Sequence, residues 1–262
     1  PGPMDNNKRL EYINYEEGNP VGTWTQWSRD NENRLRKTGE IIFEAGAGRW
    51  REWDPNTLVV IRAGDYENWE RSGLWKSWDP QEVLVSEGEY VQGKKAGKWT
   101  WYKDGEDKGW QENYNNGVLN GKFNNLSPYA DIRGVGAYSD GIKTGDWEEY
   151  YSSIDESLER SQTGSYQFGK KVGIWSLYAK NGRRVAEGTY KDDVKEGEWI
   201  EGPDIDFGSR FFGKGTYSNN KKNGSWNYVA PRQNPTIEGF FTDGEPSGEW
   251  KVIYNKKTYK GS

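Results

Sequence analysis

The sequence predicts an all-β protein, an elongated single-layer antiparallel meander of about ten β-hairpin repeats that twists and coils along its length. Three observations carry this. A frame recurs ten times through the 262 residues, at spacings of 24 to 28. It has Gly two residues before an aromatic, Gly seven residues after it and Trp nine residues after it, and a fixed period in this range marks a repeat array. Tyr, Trp, Val and Thr around the frame favour strands, while Gly, Asn and Asp stand where tight turns need positive φ. The apolar fraction is only 32%, with aromatics at 15%. That is poor for one central core of this size, but it suits an array whose units pack only on their neighbours through large rings.

With the aromatic counted as position zero, the copies start at Tyr15, Ile41, Tyr66, Tyr90, Tyr114, Tyr138, Tyr166, Tyr190, Tyr217 and Phe241. Residues 5–14 lead in, with Tyr12 and Ile13 suited to a first edge strand. The first copy holds Gly22 and Trp24. The second departs most: Ile41 stands at zero and Glu44 at the turn, with Gly48 and Trp50 keeping the frame. The third has Gly73 and Trp75, with Trp69 at its turn. The fourth, GEYVQGKKAGKWTWYKDG from Gly88 to Gly105, is the fullest and contains Tyr90, Gly97 and Trp99. The fifth has Phe123 in place of Trp and Glu112 in place of the first Gly. The remaining five place Trp147, Trp175, Trp199, Trp226 and Trp250 at plus nine. Longer connections, SSIDESLERS and GPDIDFGSR, follow the sixth and eighth copies; the former has room for one helical turn at most. The organisation expected is a cloning remnant and lead-in over 1–11, one array over 12–254, and a C-terminal cap strand and tail over 255–262.

Within one copy, positions −3 to +2 are expected to form a strand, +3 to +6 a turn and +7 to +12 the return strand. Position zero then faces position nine across the hairpin. Such aromatic pairs each contribute about 0.2–1 kcal/mol over an alanine pair. The Gly at −2 falls on the same face and leaves room for the flat side of a ring. A second turn joins each copy to the next, as at Asp104-Gly105 and Asn181-Gly182, both favoured hairpin dipeptides.

Composition excludes several functions. The net charge of −5 argues against nucleic acid and against an anionic membrane surface. No apolar run is long enough for a membrane-spanning helix, and no signal peptide is visible. The opening Pro1-Gly2-Pro3-Met4 reads as a cloning remnant, so a leader would have been lost with the native start, and the compartment stays open. Cysteine is absent, so no disulfide framework is expected. Histidine is absent as well, which removes Ser-His-Asp and Cys-His catalysis and the zinc sites that need these ligands. No carboxylate pair has the spacing of a glycosidase and no phosphate loop is present. The expectation is a non-enzyme with no metal and no cofactor.

The frame G-x-Y-x-x-G-x-K-x-G-x-W resembles the MORN repeat, and more closely the variant class found in antitoxin-like proteins of the YwqK type. Gly88–Gly105 and Gly164–Gly182 (GSYQFGKKVGIWSLYAKNG) match best, and the resemblance runs from about residue 12 to 254. Common MORN repeats often carry Gly where this chain has Trp at plus nine. The resemblance implies an elongated β-hairpin array used for protein interaction or scaffolding. Lipid binding, an antitoxin or immunity role, and dimers formed through the array edges are further implications.

Two sets of residues then separate. Tyr15, Trp24, Trp50, Tyr66, Trp75, Tyr90, Trp99, Tyr138, Trp147, Tyr166, Trp175, Tyr190, Trp199, Tyr217, Trp226 and Trp250 form the structural ladder that folding an array requires. Six Trp residues lie outside plus nine, all within the first 110 residues: Trp27, Trp53, Trp69, Trp78, Trp101 and Trp110. Trp27, Trp53 and Trp78 sit at plus twelve, where alternation points to the opposite face. These six are the candidate binding residues, since surplus aromatic surface marks interaction sites. A protein is the expected partner, and a glycan or cell-wall polymer is the alternative. Basic residues gather at plus five (Arg71, Lys95, Lys143, Lys171, Lys195, Lys222), expected at the hairpin tips as solvated charge.

Overall fold

The computed structural model describes residues 10–103, 105, 109–127, 133–151, 158–202, 212–230, 235–254 and 257–261. Over these it is all-β, an open antiparallel meander of 21 strands that does not close into a barrel. No helix forms among the described residues. The chain divides into two units, Pro1–Asn124 and Asn125–Ser262. In the first, ten strands from β1 (Leu10–Glu16) to β10 (Val118–Asn125) each pair with the next. In the second, eleven strands from β11 (Gly134–Ser139) to β21 (Lys257–Gly261) do the same. The expected C-terminal cap strand is β21. The lead-in strand is β1, which also carries Tyr15. Residues 152–157 of SSIDESLERS, most of GPDIDFGSR and Asp104 lie outside the described residues.

The register inside a hairpin differs from the sequence expectation. In the eighth copy Lys191 pairs with Val194, so the turn is only Asp192-Asp193. Both have positive φ, 52° and 68°, as a two-residue type I′ turn requires. Tyr190 therefore faces Lys195 rather than Trp199. Pairing then shifts: Thr189 faces Glu196, but the next residue, Gly188, faces Trp199. Two extra residues, Gly197 and Glu198, form a bulge. An insertion of two keeps the alternation of faces, so Trp199 stays on the Tyr190 side. This is the role of the Gly at plus seven. Gly197 has φ +69° with open space where a Cβ would lie, so backbone conformation alone demands glycine there.

The Gly at −2 is demanded by the opposite property. A Cβ on Gly188 would lie 2.2 Å from Cδ2 of Trp199, so the indole lies flat on the glycine backbone. Trp199 faces Gly215 on its other side. Its Nε1–H donates to the Thr189 carbonyl at 3.1 Å, beside the bulge where ladder pairing is broken. The same bond recurs at Trp75, Trp99, Trp147, Trp175 and Trp226. In the terminal copies Nε1 of Trp24 and of Trp250 is buried without an acceptor. Tyr and Trp still meet, diagonally and edge to face: Trp199 is 5.2 Å from Tyr190 and 5.8 Å from Tyr217, at 89° and 71°. These T-shaped contacts form the core of each unit, with Trp147, Trp175, Trp199 and Trp226 all at or below 2% exposure.

Two assigned ladder positions are corrected. In the second copy Gly22 faces Phe43 and Trp24 faces Ile41, which puts Phe43, not Ile41, in the zero place. The turn is Ala45-Gly46 and pairing continues without a shift to Glu40–Arg51, so this hairpin has no bulge. Ile41 is fully buried, and Phe43 meets Tyr66 edge to face at 5.8 Å. Tyr15 is 59% exposed; among the described residues β1 pairs only with β2, on one of its two edges. Between copies, the Asn181-Gly182 turn is larger than a two-residue hairpin. It spans Ala179 to Arg183, closed by the Ala179 N–H on the Arg183 carbonyl at 2.8 Å, with Gly182 at φ +76°.

Candidate functional site

The plus-five cations do not line the tips as solvated charge. Because the turn is short, plus five faces position zero, and its side chain lies over the ring at plus nine. Lys195 Nζ is 4.3 Å from the Trp199 ring and 4.7 Å from Tyr217. Lys143, Lys171 and Lys222 are placed likewise. Each cation is half-buried on an aromatic face, a favourable arrangement of about 0.5–2 kcal/mol.

Beside this constant ladder, on the same face, runs a strip that differs between copies. It is built from positions −4 and +11, which face each other across strands. In the second unit it supplies carboxylates. Glu149 accepts from Lys143, from Gln162 and from the Tyr166 hydroxyl at 2.9 Å, and Gln162 accepts from Lys171 at 2.6 Å. Glu201 does the same for Lys222 at 2.9 Å, Lys195 at 3.6 Å and the Tyr217 hydroxyl at 2.6 Å. Burial opposes ionisation of Glu149 and Glu201, but hydrogen bonds from lysine, Gln162 and tyrosine outweigh it. Both carboxyls are held below the ordinary value of 4.5. A folded-state pKa below the unfolded one contributes stability that is complete above pH 4.5 and is lost as pH falls through the folded value. Glu149→Gln and Glu201→Gln are therefore expected to flatten the acid limb of stability below that pH. Urea midpoints from pH 6 down to about 3 check this.

The first unit fills the strip differently. Glu52 pairs with Arg62 at 3.1 Å, Ser77 and Ser86 place their hydroxyls 2.6 Å apart, and Trp101 stacks on Trp110 at 6.5 Å and 9°. Trp101 and Trp110 are thus on the ladder face, and Trp101 also touches Trp99 at 5.9 Å. Trp69 lies at a hairpin tip and packs against the buried cluster of Ile41, Phe43, Trp50, Trp75 and Trp99. It sits in a turn at φ 61°, rare for a bulky residue. Its backbone N–H bonds Gly46 at 2.8 Å, its ring lies against Gly46, and its Nε1–H bonds the Pro20 carbonyl at 2.8 Å. It staples the tips of the first three copies. Trp27, Trp53 and Trp78 do lie on the outer face at plus twelve, each half-buried at the strand end that leads into an inter-copy turn. No ring contact joins these three. The six surplus Trp residues therefore divide among two faces and one tip.

Between the third and fourth copies the ladder face opens into a pocket of about 300 Å3. Ser77 and Ser86 are the small residues that leave the space, and Trp75, Trp99 and Trp101 wall it. Arg71 lies over Trp75 at 4.6 Å and donates to the Tyr90 hydroxyl at 3.1 Å. Lys95 is caged by Trp99, Trp101 and Tyr114 at 4.5, 4.8 and 4.8 Å. Among the described residues no hydrogen-bond or ion-pair partner reaches the Lys95 ammonium; its carbonyl accepts from the Gly117 N–H at 2.9 Å. Burial pushes it below the ordinary lysine value against the pull of Glu112, whose carboxylate is bonded by Tyr114 at 2.5 Å. A larger concavity of about 640 Å3 on the outer face carries Glu87 and Glu89. Its charge is internally satisfied where Glu87 takes Lys76 at 3.0 Å and Tyr102 at 2.6 Å.

Sequence reasoning missed the pocket because it placed plus five at the tips. A signal was present: position plus eleven is Glu in the second, sixth and eighth copies but Ser77 and Trp101 in the third and fourth. The faces of the buried ladder rings Trp75, Trp99, Trp147, Trp175, Trp199 and Trp226 are taken by glycine, tyrosine and a cation, which leaves none of these six open for a sugar to stack on. No protein-family model matches the chain, and no curated protein matches it either.

Proposed function

We propose that this chain is a non-enzymatic protein-interaction module of the variant MORN kind, which presents an aromatic-rich β surface in its N-terminal copies to a protein partner. The observation that carries the reading is the recurrence of Trp27, Trp53 and Trp78 at one position on the outer face. The ladder neither contacts nor needs them, yet each leaves part of a large ring uncovered. Partly exposed Trp is the residue that anchors interfaces most strongly. The single-layer hairpin array supports the same reading, because every copy adds surface rather than central core. The resemblance to variant MORN repeats points the same way.

Trp53→Ala and Trp78→Ala together are expected to weaken partner capture at least about tenfold, as interface hot spots do, while strand content and unfolding midpoint change little. Quantitative capture by the intact chain and by the double variant is the measurement. Equal capture by a folded double variant removes the outer face from the interface.

A further inference from the structure

We propose that the pocket between the third and fourth copies binds an acidic side chain, Asp or Glu, of the protein partner. The proposal rests on the protein-interaction reading, and it names the chemistry that one part of the surface recognises.

The repeat supplies its own reference. In the sixth copy Glu149 at plus eleven is held by Lys143 at plus five, Gln162 at −4 of the next strand and Tyr166 at its zero position. In the third copy the same three places are held by Arg71, Ser86 and Tyr90, and the place of the carboxylate is held by Ser77. Lys95 corresponds to Lys171, which in the sixth and seventh copies is tied to the carboxylate through Gln162. A donor thus stands at each place of the carboxylate cage between the third and fourth copies, with Arg for Lys and Ser for Gln, while the carboxylate itself is missing. Replacing Glu by Ser removes a charge and opens the volume that becomes the pocket.

Two cations remain on aromatic faces with no carboxylate bonded directly to them. Arg71 donates only to the neutral hydroxyls of Tyr66 and Tyr90, and the Lys95 ammonium lies among three rings, drawn through space by a Glu112 carboxylate that Tyr114 already bonds. Arg62 stands at the rim, already paired with Glu52. An arriving carboxylate would gain hydrogen bonds from charged donors in a partly desolvated setting, where they are strongest. The occupant is a carboxylate rather than a phosphate because the chain itself fills this cage with glutamate twice, at Glu149 and Glu201. With a net charge of −5 the surface as a whole repels acidic segments, so recognition is local to this pocket and weakens with salt.

The test uses the intact chain and a capped Glu-rich peptide, with its Gln counterpart as the uncharged control. Binding is followed by NMR through the indole signals of Trp75, Trp99 and Trp101 and the Nε signal of Arg71. The Glu peptide is expected to shift these signals and the Gln peptide to leave them unmoved. Ser77→Glu restores the internal carboxylate; it is expected to keep the fold and weaken the peptide at least tenfold. Arg71→Gln with Lys95→Gln is expected to do the same, and Lys171→Gln to change nothing. Undiminished binding by folded Ser77→Glu overturns the proposal. So do equal shifts with the Gln peptide, absence of any shift with the Glu peptide, or tighter binding of inorganic phosphate than of the Glu peptide. Partner capture separates the two readings. If Ser77→Glu captures the partner normally while Trp53→Ala with Trp78→Ala does not, the interaction reading stands without the pocket. If the Glu peptide binds as described while Trp53→Ala with Trp78→Ala captures normally, the pocket stands without the outer face.

Discussion

Trp199→Ala is expected to cost about 3–5 kcal/mol of unfolding free energy, the range for truncating a fully buried Trp. The side chain is 0% exposed, and four interactions depend on it. Its ring lies on Gly188, its edges meet Tyr190 and Tyr217, Lys195 sits over it, and its Nε1–H bonds the Thr189 carbonyl. Stabilities of arrays are roughly sums of unit and neighbour terms, so the loss should be local. Hydrogen exchange of β15 (Arg184–Lys191), β16 (Val194–Glu201) and β17 (Phe212–Ser218) should rise well above that of strands at the far end of the same unit. Uniform loss of protection across all strands of the unit would contradict local coupling. Trp199→Phe separates the terms. It keeps most of the packing and orphans the Thr189 carbonyl, for a cost of about 1–3 kcal/mol. The fifth copy carries Phe at this position and makes a different bond across its bulge. There Asn113 sends its side-chain amide to the Lys122 carbonyl at 2.6 Å, across the bulge beside Phe123.

Gly164→Ala is the second large effect, expected to cost about 1–3 kcal/mol through overpacking. The new Cβ would sit 2.2 Å from Cδ2 of Trp175, and the ring cannot retreat because it is fully buried. Gly173→Ala in the same copy fails for a different reason. Space there is open, but φ is +68°, and the left-handed conformation costs a residue with a Cβ about 1–2 kcal/mol. The two are distinguishable in a double variant. Trp175→Leu should absorb part of the Gly164→Ala penalty and none of the Gly173→Ala penalty, since only the former arises from contact with the ring. Urea midpoints of the three single and two double variants decide it, and equal coupling for both glycines would refute the assignment of separate roles.

The local frame was legible because each of its residues has one strong physical reason. Gly at −2 must be flat against an indole, Gly at plus seven must adopt positive φ, and Trp at plus nine is the only side chain with both the area and the N–H. Counting alone could not locate the bulge. A two-residue insertion preserves the face alternation, so the aromatic pattern looks the same with zero opposite nine as with zero opposite five. The error carried through to the plus-five cations, which the longer loop placed at the tips. It also hid the second copy's irregularity. Counting from Ile41 reproduces the interval to Trp50, whereas the strand pairing starts the copy at Phe43 and omits the bulge.

Sequence by itself determined the class of fold, the number of hairpins and the aromatic ladder, because these follow from periodicity and from turn and strand chemistry repeated ten times. Only the tertiary structure decided which residues meet across strands. Register sets whether a lysine reaches water or an indole, whether a glutamate finds that lysine, and where two serines leave a carboxylate cage unfilled. Those contacts join residues one or two strands apart, and a frame counted along one chain has no means of ranking them.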